Sequence, residues 1–146
     1  VYSGNTNGWD AHSDVLSNHT QYCEQTDLPI AGLLTDLKQR GLLEDTMVVL
    51  ASEFGRTPDI DEDNGRNHYP KAFSALLAGG GVKGGFRYGK TDKEGREVIA
   101  DPMSIPDLNA TIAYGCGLPT DHVLTSPSGR PFRVGDKGMP VTEVFG

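Results

Sequence analysis

Six polar residues set the chemistry open to this chain: Asp10 and His12 in "GWDAH", Glu53 and Arg56 in "SEFGRTP", and Arg66 and His68 in "GRNHYP". Two positions apart in an extended loop, Asp10 and His12 can turn their side chains the same way. They would then offer one carboxylate oxygen and one imidazole nitrogen to a single ion. With Glu53 and His68 they make a mixed oxygen and nitrogen set suited to a divalent metal, zinc first, with manganese, calcium or magnesium as alternatives. Arg56 and Arg66 suit a phosphate or sulfate group, because a planar guanidinium donates to two oxygens at once. Ordinary structural roles are also open to each residue. Asp10 can cap a helix beginning near Ser13, His12 can be a surface histidine, and His68 can stabilise a turn. Glu53 can pair with Arg56 or Arg66. His19 and His122 have no acidic or cysteine companions at ligand spacing and read as ordinary histidines, while Trp9 reads as a core or wall aromatic that fixes the Asp10 loop.

The elements that must position these groups follow from the apolar pattern. "TMVVLAS" reads as a short, fully buried strand, β-branched and without alternation, and "AFSALLAG" (residues 72 to 79) reads as a second. In an open α/β sheet, reactive groups collect just beyond the carboxyl ends of strands, which is where Glu53 and Arg56 stand. The polar stretch between the two strands, roughly twenty residues, is long for a plain connection. Asp27 to Arg40 has helical signals: Asp27 as a cap, Pro29 in the first turn, and Leu28, Ala31, Leu34 and Leu37 in register. Residues 14 to 26 can form an earlier helix that Pro29 kinks or separates from it. "SIPDLNATIAYGCGL" predicts another helix, and "FRYGKTDKEGREVI" a hairpin turning at Asp92 to Gly95. "GGGVKGG" lacks the Lys-Ser/Thr ending of a phosphate-cradling loop and reads as a backbone turn. The tail, "GRPFRVGDKGMPVTEVF", looks like two short strands. Helices alternating with buried strands argue for an α/β layered fold in one domain, or in part of one.

Composition narrows the partners. The 146 residues can bury one modest core. The net charge of −7 includes a crowded acidic stretch at Asp59 to Asp63, which reads as a solvated flap with a calcium contact as the alternative. Such a balance repels phosphate backbones, so nucleic acid is not an expected partner. No apolar stretch approaches the roughly 20 residues that span a bilayer. The first residues lack the pattern of a secretion signal, and there is no initiator Met, so a fragment or a processed product is expected. Cys23 and Cys116 are compatible with a disulfide or with two free thiols.

Five ordered motifs, "GWDAH", "SEFGRTP", "GRNHYP", "AGGGVKGGFRYGKTDKEG" and "DLNATIAYGCGL", closely resemble the C-terminal part of the domain-of-unknown-function family numbered fifteen hundred and one. Members are often labelled sulfatase-like and placed in the alkaline-phosphatase-like superfamily. The resemblance implies a three-layer α/β/α sandwich, mostly parallel, and a metal-dependent hydrolase acting on small-molecule or polysaccharide esters of phosphate or sulfate. It matches Asp10 and His12 to the Asp and His of one metal site, Glu53 to the acid of an Asp-His-Gly ligand motif, and His68 to the later His ligand. Phe54 stands where that motif carries its second ligand, so one metal rather than two is expected. The superfamily's nucleophile belongs to an N-terminal half of the same domain, which is the expected partner of this segment. Family members often begin with a twin-arginine type signal, which implies export. A catalytically silent binding or surface-associated module on the same scaffold is the alternative, and a metal-free acid-base network is a third.

Overall fold

The computed structural model describes residues 8–146; the first part of the Gly- and Asn-rich opening loop, residues 1–7, lies outside them. In chain order the elements are α1 (Val15–Gln39), β1 (Val48–Leu50), β2 (Gly55–Arg56), β3 (His68–Tyr69), β4 (Leu76–Ala78), β5 (Lys90–Thr91), β6 (Val98–Ala100), α2 (Ile105–Gly115), β7 (Val123–Thr125) and β8 (Pro131–Arg133), followed by a 3-10 turn at Thr142–Val144.

The expected three-layer α/β/α sandwich with a mostly parallel sheet is not present among the described residues. The strands pair only as β1 with β4, β2 with β3, β5 with β6 and β7 with β8, four two-stranded sheets accompanied by two helices. The two strands read as fully buried are part-exposed instead: Val48 and Val49 are half-buried, and Leu50 and Leu76 are 53% and 55% exposed. A β-branched run without alternation is compatible with burial on both faces, but strand neighbours and covering helices are decided by distant pairing that the run does not encode. The tail also differs, with one strand, β8, pairing antiparallel with β7, and the 3-10 turn in place of a second strand.

The chain divides into two compact units. The first holds residues 8–42, 50–75 and 91–98 of the described chain. Its long helix α1 is continuous through Pro29, so residues 14 to 26 are not separated from the segment that follows. Proline removes one N–H and the bond to the carbonyl four residues earlier. Gln25, whose carbonyl is freed, is exposed, so water can satisfy it and the helix continues. At the far end, Gly41 turns into the left-handed region (φ 70) and Leu42 N donates to Leu37 O at 2.8 Å, which closes the last turn. The start is closed differently. Asp14 caps with a left-handed backbone and no side-chain bond, while Asp14 N donates to Asp63 O (3.2 Å) and Val15 N to Asn64 O (2.8 Å). The acidic stretch thus supplies carbonyls to the first turn of α1, which is more than a solvated flap would do. Trp9 packs its ring against His19 and Tyr22 of α1 at 5.5 and 5.4 Å, and Ala11, Val15 and Tyr22 are buried.

The hairpin between β5 and β6 turns as its residues predict. Asp92 N donates to Glu97 O, Asp92 Oδ1 accepts from Arg96 N at 2.6 Å, and Gly95 takes φ 70. Arg96 pairs with Asp59, and Tyr69 donates to Arg96 O at 2.9 Å, so the turn is tied to the acidic stretch and to β3.

The second unit holds residues 43–49, 76–90 and 99–146. Its helix α2 begins with a capping box: Ser104 accepts from Asp107 N, and the Asp107 carboxylate accepts from Ser104 N. Asp107 Oδ1 also accepts from Met139 N at 2.8 Å. Thr111, fully buried, donates to Asp107 O and accepts from Val141 N. Leu108, Ala110, Ala113 and Val144 complete this small core. Among the described residues no helix is long and apolar enough to cross a membrane, and Cys23 and Cys116 are exposed free thiols.

Candidate functional site

The site lies within the first unit and is built from three loops and one strand pair. In β2 and β3, Arg56 lies directly opposite His68 and Gly55 opposite Tyr69. Opposed residues of an antiparallel pair project from the same face, and so does the residue two positions before. Phe54, Arg56 and His68 accordingly share a face. The Phe54 and His68 rings pack with centroids 4.4 Å apart, and the Arg56 guanidinium sits 5.7 Å from the Phe54 centroid. Phe54, which was expected only to mark a lost ligand, is a wall for His68.

The Asp10 loop meets this face through two tight turns, Ala11 N donating to Trp9 O and His12 N to Asp10 O. Ala11 is buried between them, which leaves Asp10 and His12 outside on one side. Asp10 therefore does not cap α1; Asp14 occupies that position. Arg66 N donates to Ala11 O at 3.0 Å and locks the loop to residues 63–66. Gly65 is pressed so closely on the His12 carbonyl that an added Cβ would overlap it.

Three side chains converge. Asp10 Oδ1 is 3.0 Å from His68 Nε2 and 3.1 Å from His12 Nε2, and the two Nε2 atoms are 3.2 Å apart. Arg56 Nη1 approaches the same Asp10 oxygen at 2.5 Å. That nitrogen is shielded from solvent and forms an ion pair with Asp10. Asp10 is held below the usual carboxylate range, first by the His68 contact and then by Arg56. The Asp10, His12 and His68 side chains keep 47%, 47% and 49% of their surface exposed, which leaves the triangle open to a ligand from solution.

The other residues singled out by type stand elsewhere. Glu53 lies outside this group; its Oε2 accepts from Ser52 Oγ at 3.2 Å. Arg66 is half-buried and donates through Nη1 to Thr57 O at 3.1 Å, a brace within its own loop. Asn67, which no spacing rule marked, touches the site, and Asp61 stands behind it. Asn67 Oδ1 is 3.1 Å from His12 Nδ1, and Asn67 Nδ2 donates to Asp61 Oδ2 at 3.0 Å. The only sequence signal was the adjacency of Asn67 to His68, because its partner lies 55 positions away.

The proton count of this cluster is informative. Asp61 accepts only, so Asn67 must present Nδ2 to it and Oδ1 to His12. His12 then carries its proton on Nδ1, and its Nε2 faces the cluster as a lone pair; this tautomer is assigned from the network. With both imidazoles neutral, the one proton on His68 Nε2 serves two acceptors, Asp10 Oδ1 and His12 Nε2. One proton is therefore shared among three contacts, beside the Arg56 guanidinium that pairs with Asp10.

Comparison with known proteins adds one relationship. No curated protein and no solved structure matches the chain. A family profile described as "Protein of unknown function (DUF1501)" matches residues 1–145, and the chain belongs to that family.

Proposed function

We propose that this chain carries the metal site of a hydrolase acting on phosphate or sulfate esters, with Asp10, His12 and His68 as the ligands of one divalent ion, zinc in the first instance. The observation that carries the reading is the triangle of Asp10 Oδ1, His12 Nε2 and His68 Nε2 with edges of 3.0, 3.1 and 3.2 Å. A tetrahedral ion with bonds of about 2.0 to 2.1 Å separates its ligand atoms by about 3.3 Å. Surface side chains drawn together only by hydrogen bonds would supply a proton for each contact, and with both imidazoles neutral this set has one proton for its three contacts. Two nitrogens and one carboxylate oxygen also leave a tetrahedral ion an open position, as catalytic sites require.

A bound divalent ion would supply Lewis acidity and offset charge on the transferring group. The chain's own residues do the rest. Arg56 reaches toward the same point, and a guanidinium that pairs with Asp10 has further N–H donors for a non-bridging oxygen of an anionic ester. Phe54 keeps both the His68 ring and the guanidinium in place from one side. Arg66 enters as the brace of the loop beneath. Small-molecule and polysaccharide esters are both admitted by so open a site. The attacking group is assigned to a part of the protein outside this chain.

The second reading, a binding module without catalysis, draws on Phe54: one apolar ring occupies a place where a further ligand would serve a two-ion site. The test is elemental analysis and calorimetry with zinc, manganese, calcium and magnesium on the intact protein and on His12→Ala and Glu53→Ala variants, followed by phosphate and sulfate ester assays. Near-stoichiometric metal that His12→Ala removes, together with turnover of either ester, supports the hydrolase. Metal without turnover supports the module, and no metal in the intact protein overturns the metal site and leaves the module as the reading.

A further inference from the structure

His12 is gripped twice by the same loop. Its backbone is contacted by Gly65, whose hydrogen replaces a side chain that could not fit, and its ring is contacted by Asn67. Both grips trace to Asp61. Asp61 Oδ1 accepts from Gly65 N at 2.9 Å and from Asp63 N at 3.1 Å, Asp61 N donates to Gly65 O, and Asp61 Oδ2 accepts from Asn67 Nδ2. The carboxylate therefore shapes the loop with one oxygen and orients the Asn67 amide with the other. An amide has a donor end and an acceptor end, so fixing one end fixes what the other presents.

The geometry points to Asp61 and Asn67 as positioning residues that hold His12 in its Nδ1–H tautomer and so commit its Nε2 lone pair to the point shared with Asp10 and His68. This rests on the metal-site reading for its purpose, but the tautomer itself belongs to the metal-free protein. A ligand imidazole that donates its other N–H to an oriented acceptor is a better ligand, and loss of that acceptor costs about 10- to 100-fold in metal affinity. A role confined to loop shape would make no demand on which end of the Asn67 amide faces the ring.

That difference supplies the test. Asp61→Asn keeps an oxygen for the Gly65 and Asp63 amides, and places a donor opposite Asn67. The Asn67 amide must then turn over and offer its NH2 to His12 Nδ1, which forces the proton to Nε2. Nitrogen-15 NMR of the intact, metal-free protein at about pH 8, where an ordinary imidazole is neutral, reads the tautomer directly. His12 is expected to be protonated on Nδ1 in the parent, on Nε2 in Asp61→Asn, and on a mixture in Asn67→Ala. Zinc calorimetry is expected to show losses of about 10- to 100-fold for both variants. An unchanged His12 tautomer in both variants overturns the inference, whatever zinc does. A switched tautomer with no zinc binding in any form upholds the relay and sinks the metal site instead. Circular dichroism and the unaffected resonances of α2 check that each variant is folded, and Asn67→Ala stands in if Asp61→Asn is not.

Discussion

Asp107, at the start of α2, and Asp10, in the loop before α1, both hold their carboxyl groups below the usual carboxylate range, but the donors responsible differ in kind. Around Asp107 they are the Ser104 hydroxyl, the Met139 amide and the Ser104 amide, all neutral and fixed by the backbone or next to it. Both of its oxygens are used, and the residue is closed. Around Asp10, His68, Arg56 and His12 crowd a single oxygen. They are long or ring-bearing side chains brought from β2, β3 and the Asp10 loop, and the two imidazoles, when neutral, have too few protons for their contacts. One carboxylate completes a fold, and the other, on the proposed metal-site reading, awaits an ion. A depressed carboxylate by itself distinguishes nothing; the kind of donor does.

The comparison breaks most sharply at the ligands. Asp10→Ala or His68→Ala is expected to lower zinc affinity by more than about 100-fold, beyond what a supporting residue costs, with thermal stability close to that of the parent. Calorimetry and a melting curve on the same samples decide it, and a loss below tenfold would place the ion elsewhere. Asp107→Ala is expected to reverse the pattern. It removes the capping box and leaves the Met139 amide without its acceptor, at a cost of about 2 kcal/mol. Denaturant unfolding should show that loss while zinc affinity stays as it was.

The pH dependence sharpens the same contrast. Because the folded value of Asp107 lies below the unfolded one, the stability it contributes is present above the ordinary carboxylate pKa of about 3.9 and is lost as pH falls from there through the depressed value. Asp107→Asn should therefore lose less stability than the parent between about pH 5 and pH 3. Asp10→Asn should flatten that limb less, because solvent screens the exposed Asp10. Equal flattening in the two variants would erase the distinction drawn above. The smallest effect is expected at Glu53: Glu53→Ala should change zinc affinity by about twofold or less, the size of an ordinary surface substitution. A tenfold loss would bring Glu53 into the ligand set.

How much of this could be read from the chain depends on how local the cause is. The capping box at Ser104 and Asp107, the turn at Asp92 to Gly95 and the end of α1 at Gly41 rest on neighbours within four or five positions, and the residue types declare them. The common side of Asp10 and His12 rests on two positions. Strand pairing does not work this way: nothing in "TMVVLAS" states how many neighbours the strand has, so the layered parallel sheet inferred from it was the wrong architecture. Pro29 does not separate two helices, since a proline's cost depends on whether water reaches the carbonyl it frees. Asn67 and Asp61 were passed over because an amide and an acid in a charged run are common in loops, and Phe54 was read only as a missing ligand, not as the wall it forms. Their roles exist only where β2, β3 and the Asp10 loop meet.

Gly65 carries a consequence for how this sequence can vary. Its backbone dihedrals make no special demand, so a tally of backbone conformations would rate the position as tolerant. The obstacle is the His12 carbonyl, which leaves no room for even one methyl group. Randomising residues 61 to 68 and selecting for a folded chain should recover glycine alone at position 65, with Glu62 and Asp63 accepting broad replacement. The loop's exposed acids are the interchangeable part of its sequence, and its smallest residue is the part that cannot drift.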